Sequence, residues 1–183
     1  MKDQPSATDD RSSPAAAQSE KHSMPSWLRQ VAALAGFLLL CFSAAAVGGM
    51  LTASSVGGWY QTLRKPPISP PDWVFGPVWS ALYTLMAIAA WLVWRRSGWQ
   101  AGIRPLSLFV VQLSLNVAWS GVFFLLRMPG GAFAEITLLW LAIAATTWQF
   151  WKHSHGAALL MTPYLAWVTF AAYLNFAIWR LNP

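Results

Sequence analysis

The feature that most constrains this chain is a set of five long apolar runs almost free of formal charge: Leu28–Leu51, Pro77–Trp94, Pro105–Leu126, Ala132–Trp151 and Ala157–Trp179. Arg29 and Glu135 are the only charged residues within them, each close to an end of its run. A helix rises about 1.5 Å per residue, so even Pro77–Trp94 reaches roughly 27 Å, close to the thickness of a bilayer's hydrocarbon. A soluble bundle would carry a charged face on each helix, and these runs have none. Composition agrees, with 10% of residues charged against about 25% in a typical soluble domain. The pattern predicts an all-α integral membrane bundle of five transmembrane helices.

Local punctuation sets the expected limits. Pro77 and Pro105 belong at the first turns of their helices, where a missing N–H removes no hydrogen bond. Gly130 and Gly131 are expected to separate helices 3 and 4, and Ser154, His155 and Gly156 to separate 4 and 5, making consecutive helices antiparallel neighbours. Between helices 1 and 2 a long loop, Thr52–Gly76, holds Pro66, Pro67, Pro70 and Pro71; a connection of that length reads as a lid or binding loop. Residues 1–26 are polar and mixed in charge, with Lys2, Arg11 and Lys21 against Asp3, Asp9, Asp10 and Glu20. They read as a disordered tail, leaving 27–183 as the membrane domain. The rival reading is a secretory signal cut near Ala44-Ala45-Ala46, but the apolar run is long enough to span.

Arg29, Arg95, Arg96, Arg104 and Lys152 fall on the N-terminal side of the membrane, and Arg64, Lys65, Arg127 and Arg180 on the other. That bias favours a cytoplasmic N-terminus. The net charge of +6 suits an anionic lipid surface and not nucleic acid, since no soluble basic face exists.

Thirteen tryptophans remain to be placed. Trp27, Trp94, Trp99, Trp148, Trp151 and Trp179 lie near helix ends, as an interfacial belt would require. Deeper, Trp79 and Tyr83 share a face of helix 2. Gln112, Asn116, Trp119 and Ser120 follow at three and four spacing on helix 3, and Tyr164, Trp167, Ala171 and Asn175 do so on helix 5. Carboxamides facing hydrocarbon are costly, so Gln112, Asn116 and Asn175 should point inward. Two readings fit: a pocket for a flat, mostly apolar ligand, or hydrogen-bonded packing between helices. The proline-rich loop on the same side favours a lidded pocket.

Little conventional chemistry is available. A lone Cys41 excludes an intrachain disulfide and a Cys-based zinc site made by one chain. His153 and His155 have no carboxylate nearby in sequence, so no metal is expected. Glu135 and Arg127 flank Gly130-Gly131 and are placed to pair at the membrane edge. Ala44–Gly48, Ala45–Gly49 and Ser114–Ala118 are small-xxx-small pairs of the kind that bring helices together, within a bundle or between chains.

Three stretches carry a resemblance. Trp59–Met86 reads WYQTLRKPPISPPDWVFGPVWSALYTLM, Gln112–Phe124 reads QLSLNVAWSGVFF, and Pro163–Asn175 reads PYLAWVTFAAYLN. Together they are similar to the TspO/MBR family, the tryptophan-rich sensory proteins related to the mitochondrial translocator protein, over about Trp27–Pro183. The resemblance implies five tilted helices around a pocket, a homodimer, and binding of porphyrins such as protoporphyrin IX or haem, with a sensory, regulatory or transport role and no obligatory cofactor. The family pocket maps onto Trp59, Tyr60, Phe75, Trp79, Tyr83, Asn116, Trp119, Trp167, Ala171 and Asn175. Trp79 and Trp167 match two tryptophans implicated in light- and oxygen-dependent porphyrin degradation, the enzymatic alternative. A scaffold for partner proteins is a third reading. Ile68 stands where many bacterial members place an aromatic. Sterol binding is expected to be weak, because Tyr173 and Arg180 are separated by six residues, beyond the one to five of the proposed motif.

Overall fold

The computed structural model describes residues 25–182, and all the regular structure among them is helical. The order is α1 (Ser26–Val56), a short α2 (Trp59–Thr62), a 3₁₀ turn (Asp72–Val74), α3 (Phe75–Ser120), a π turn (Gly121–Leu125), α4 (Pro129–His153) and α5 (His155–Leu181). Four of these elements are long and apolar enough to cross a bilayer. The expected tail lies outside the described residues except for its last two, Pro25 and Ser26, and Ser26 already opens α1.

α3 contains 46 residues. A straight helix of that length would reach roughly 70 Å, twice a bilayer. Gly98 breaks it, with φ +64° and ψ −168°, a combination open essentially to glycine alone. The arms 75–97 and 99–120 then fold back on each other. Tyr83 meets Asn116, and the Gln112 carboxamide reaches the Met86 sulfur at 3.9 Å, so the pairing runs antiparallel. An added Cβ at Gly98 would meet no neighbour within 4 Å, which isolates the backbone term. Gly98→Ala is therefore expected to destabilise the protein by about 1–3 kcal/mol through strain alone, read as a lower thermal midpoint in detergent with ligand affinity retained.

Several expected boundaries move. The long loop Thr52–Gly76 does not form as such: α1 runs on to Val56, α3 begins at Phe75, and the link 57–74 contains α2 and the 3₁₀ turn. Helix continuation satisfies backbone groups that an open loop would leave bare beside hydrocarbon. Pro105 does not start a helix; it sits buried inside the second arm of α3, while Gly98 makes the break. Gly130 and Gly131 lie within the first turn of α4 behind Pro129, and the chain reverses instead at Arg127, whose φ is +55°. Ser154 alone parts α4 from α5; its hydroxyl caps α5 by accepting from the Ala157 amide at 3.3 Å.

The core follows heptad-like seams. Ile136, Leu139, Ile143, Thr146 and Phe150 of α4, and Ala157, Met161, Tyr164 and Val168 of α5, are buried at alternating three and four spacing. They close on Met86, Ala90 and Val93 of the first arm of α3 and on Phe109 and Leu113 of the second. α1 is the outlying helix, with Phe37, Cys41, Gly48 and Ser55 its only buried residues. It packs on α3 and the π turn, whereas α5 packs on α3 and α4. α1 and α5 make no substantial contact with each other, which leaves a gap between them beside the link.

Most belt tryptophans face outward as a bilayer interface requires, Trp27, Trp99 and Trp148 among them. Trp94 does not; it is buried and packs edge-on against Trp99 at 5.8 Å.

Candidate functional site

A cavity of about 460 Å³ fills the gap between α1 and α5, and the link covers its end. Eight of the ten residues expected at a pocket line it: Tyr60, Phe75, Trp79, Tyr83, Asn116, Trp119, Trp167 and Ala171. They come from the link, both arms of α3, and α5, so the fold-back at Gly98 is what brings the two α3 sets together.

The aromatic wall is held by its own contacts. Trp79 lies 5.6 Å from Tyr83 and edge-on to Tyr164 at 6.2 Å. Trp167 meets Phe75 edge-on at 5.9 Å. Trp119 stacks on Phe123 at 5.3 Å. Each geometry is among those that favour aromatic pairs beyond burial alone.

The carboxamides brace this wall, Asn116 from within it and Asn175 from behind. Asn116 accepts from the Tyr83 hydroxyl and donates through Nδ2 to the Tyr164 hydroxyl at 3.1 Å. Asn175 does not line the cavity. Its Oδ1 accepts from the Trp119 indole N–H at 2.9 Å, and its Nδ2 donates to the Pro129 carbonyl at 2.7 Å, tying α5 to the start of α4. Asn175 thus sets the Trp119 ring. Trp59, in the link, also stays outside and packs on Phe123 at 5.9 Å. Carboxamides join helices here, and rings they hold face a hollow.

Part of the site escaped sequence reasoning. α1 supplies a whole wall through Phe42, Ala45, Gly48, Gly49, Thr52 and Val56. The signal was the small-residue run, which reads equally well as a helix-contact stripe. Gly48 does pack against Ser120, where an added Cβ would lie 3.5 Å from the hydroxyl, while Ala45 and Gly49 leave room. Phe124 of the π turn was also missed. The wide turn leaves its carbonyl free, and Ser55 of α1 donates to it at 2.7 Å.

Asp72 was a further omission. It is the one charged side chain on the cavity wall among the described residues. Gln61 Nε2 donates to its Oδ2 at 2.9 Å and to the Val56 carbonyl at 3.0 Å, and Lys65 Nζ donates to Gln61 Oε1 at 3.4 Å. Lys65 also sits over the Tyr60 ring, 3.9 Å from its centroid. Burial, and secondarily the Asp72 carboxylate, push the Tyr60 phenol above its ordinary value. On the far side of the link, Asn182 accepts from the Arg64 amide and donates to the Arg64 carbonyl, both at 3.0 Å.

Other candidates separate. His153 Nδ1 is hydrogen-bonded with Ser97 Oγ at 2.8 Å, and His155 stacks on Trp151, so the two imidazoles engage different partners. Glu135 forms no pair with Arg127; both carboxylate oxygens are buried without a hydrogen-bond partner. With both glycines inside α4 and Arg127 in the reversal before it, no tight turn holds the two side chains across from each other.

Long apolar helices with bare hydrophobic outer faces, closed around an aromatic hollow, define a multi-pass integral membrane protein of the helical-bundle class. Comparison with known proteins makes the assignment specific: residues 37–180 match the TspO/MBR family, and the chain belongs to it. It is 40% identical over 159 residues to the tryptophan-rich protein TspO of Chlorobaculum tepidum, covering 85% of this chain and 99% of that one. It is 44% identical over 126 residues to the human translocator protein, covering 68% and 75% of the two chains. The tryptophan-rich sensory protein of Cereibacter sphaeroides is 39% identical over 146 residues, covering 80% and 89%.

Proposed function

We propose that this protein takes a porphyrin into the cavity between α1 and α5 and reports on it or passes it on, as a membrane receptor or transport-type protein. The observation that carries the reading is the hollow itself. Its volume is of the size that holds small-molecule ligands, and its walls are mostly apolar, with aromatic rings and a few fixed polar groups among them. Rings from three helices offer faces for a flat macrocycle, and the small Ala171, Ala45 and Gly49 leave space between them. Sensory and translocator relatives fit the same role. In this reading α1, the two arms of α3, α4 and α5 are five membrane spans, with Gly98 in the turn between the second and third.

A second reading is supported by Trp79 and Trp167 lining one cavity, with the Trp167 indole N–H lacking a hydrogen-bond partner. A porphyrin excited by light beside these indoles, with oxygen as oxidant, would be cleaved where it is held. One experiment tests both readings. Detergent-solubilised protein titrated with protoporphyrin IX in the dark is expected to show saturable quenching of tryptophan fluorescence, with the porphyrin recovered intact. Failure to saturate contradicts binding. Irradiation in air that bleaches the Soret band in the wild type but not in the Trp79→Phe, Trp167→Phe double variant supports degradation; equal bleaching rejects it.

A further inference from the structure

We infer that Asp72 discriminates among ligands by charge at the mouth of the cavity, favouring a neutral or cationic edge over one bearing carboxylates. This rests on the porphyrin-type reading above and narrows it. Every other lining side chain among the described residues is uncharged, so a single carboxylate sets the sign of the field felt by a guest at the rim. Asp72 is exposed yet fixed, because Gln61 bridges it to the end of α1. Lys65 is held on the other end of the same Gln61 side chain and over Tyr60, and it does not line the cavity. The cavity wall therefore carries one carboxylate, while the half-buried Lys65 ammonium stands outside the lining. A carboxylate seated against this wall is repelled by Asp72, so a dicarboxylate macrocycle would turn its acidic edge away from it. A ligand with that edge neutralised escapes the repulsion.

The test uses full-length protein in non-ionic detergent at low salt, with protoporphyrin IX and its dimethyl ester as probes and tryptophan quenching as readout. The wild type is expected to bind the ester more tightly relative to the dicarboxylate than Asp72→Asn does. The substitution should improve the dicarboxylate-to-ester affinity ratio by about three- to tenfold. Asparagine retains an acceptor for Gln61, so the link should stay in place. Lys65→Gln is expected to move the ratio the opposite way, and about 0.5 M salt should shrink both effects. An unchanged ratio in Asp72→Asn, or equal changes for both probes, overturns the inference and leaves Asp72 a purely structural anchor. If neither probe binds saturably, or both still bind after Ala171→Phe, the cavity reading itself fails and this inference with it.

Discussion

Ala171→Phe is expected to weaken porphyrin binding by on the order of 30- to 150-fold, about 2–3 kcal/mol. Ala171 is half-buried on α5, one turn beyond Trp167, and its methyl group faces the hollow from the side opposite α1. A phenyl ring there occupies the space between the Trp79, Trp119 and Trp167 rings, while the other wall, Ala45 and Gly49, belongs to a helix with few buried anchors. Filling existing empty volume costs less than overpacking a solid core, which costs about 1–3 kcal/mol. The thermal midpoint should accordingly change little while the quenching titration flattens. Loss of binding together with collapse of the fold would not count in favour; retained binding with the fold intact would count against.

The second large effect concerns stability. Asn116→Leu removes the acceptor of the Tyr83 hydroxyl and the donor to the Tyr164 hydroxyl in a single substitution, and both tyrosines are buried. Each stranded group costs about 1–2 kcal/mol when it is buried without a partner. The combined loss of about 2–4 kcal/mol corresponds to a fall of roughly 5–15 °C in the thermal midpoint for a chain of this length. The penalty comes from stranding and not from the lost bonds themselves, so Tyr83→Phe and Tyr164→Phe added to Asn116→Leu should recover part of it. A triple variant less stable than Asn116→Leu alone would contradict that account.

The helices were legible because a bilayer forbids most alternatives. Uncharged runs of the right length leave the backbone one way to satisfy itself. Spacing also placed most of the α3 and α5 wall, since residues three and four apart must share a face. What local pattern could not fix was where a helix stops. Pro105 and the Gly130-Gly131 pair look like breaks, yet both are tolerated within helices, whereas Gly98 breaks α3 through a backbone conformation that leaves no compositional mark. Trp59 and Asn175 carry the right chemistry but point to Phe123 and Trp119, one layer behind the cavity. The α1 wall was hidden by its own smallness: alanine and glycine make room for a ligand and for a neighbouring helix alike. Asp72 stood outside the aromatic pattern, and only the folding of the link onto α1 brings it to the rim.

A structure determined with protoporphyrin IX present is the most direct test. The account predicts macrocycle density within the hollow between α1 and α5, in contact with Trp79 and Trp167 and with its carboxylates away from Asp72. Density confined to the outer, lipid-facing side of the helices, with the hollow unchanged, would contradict it.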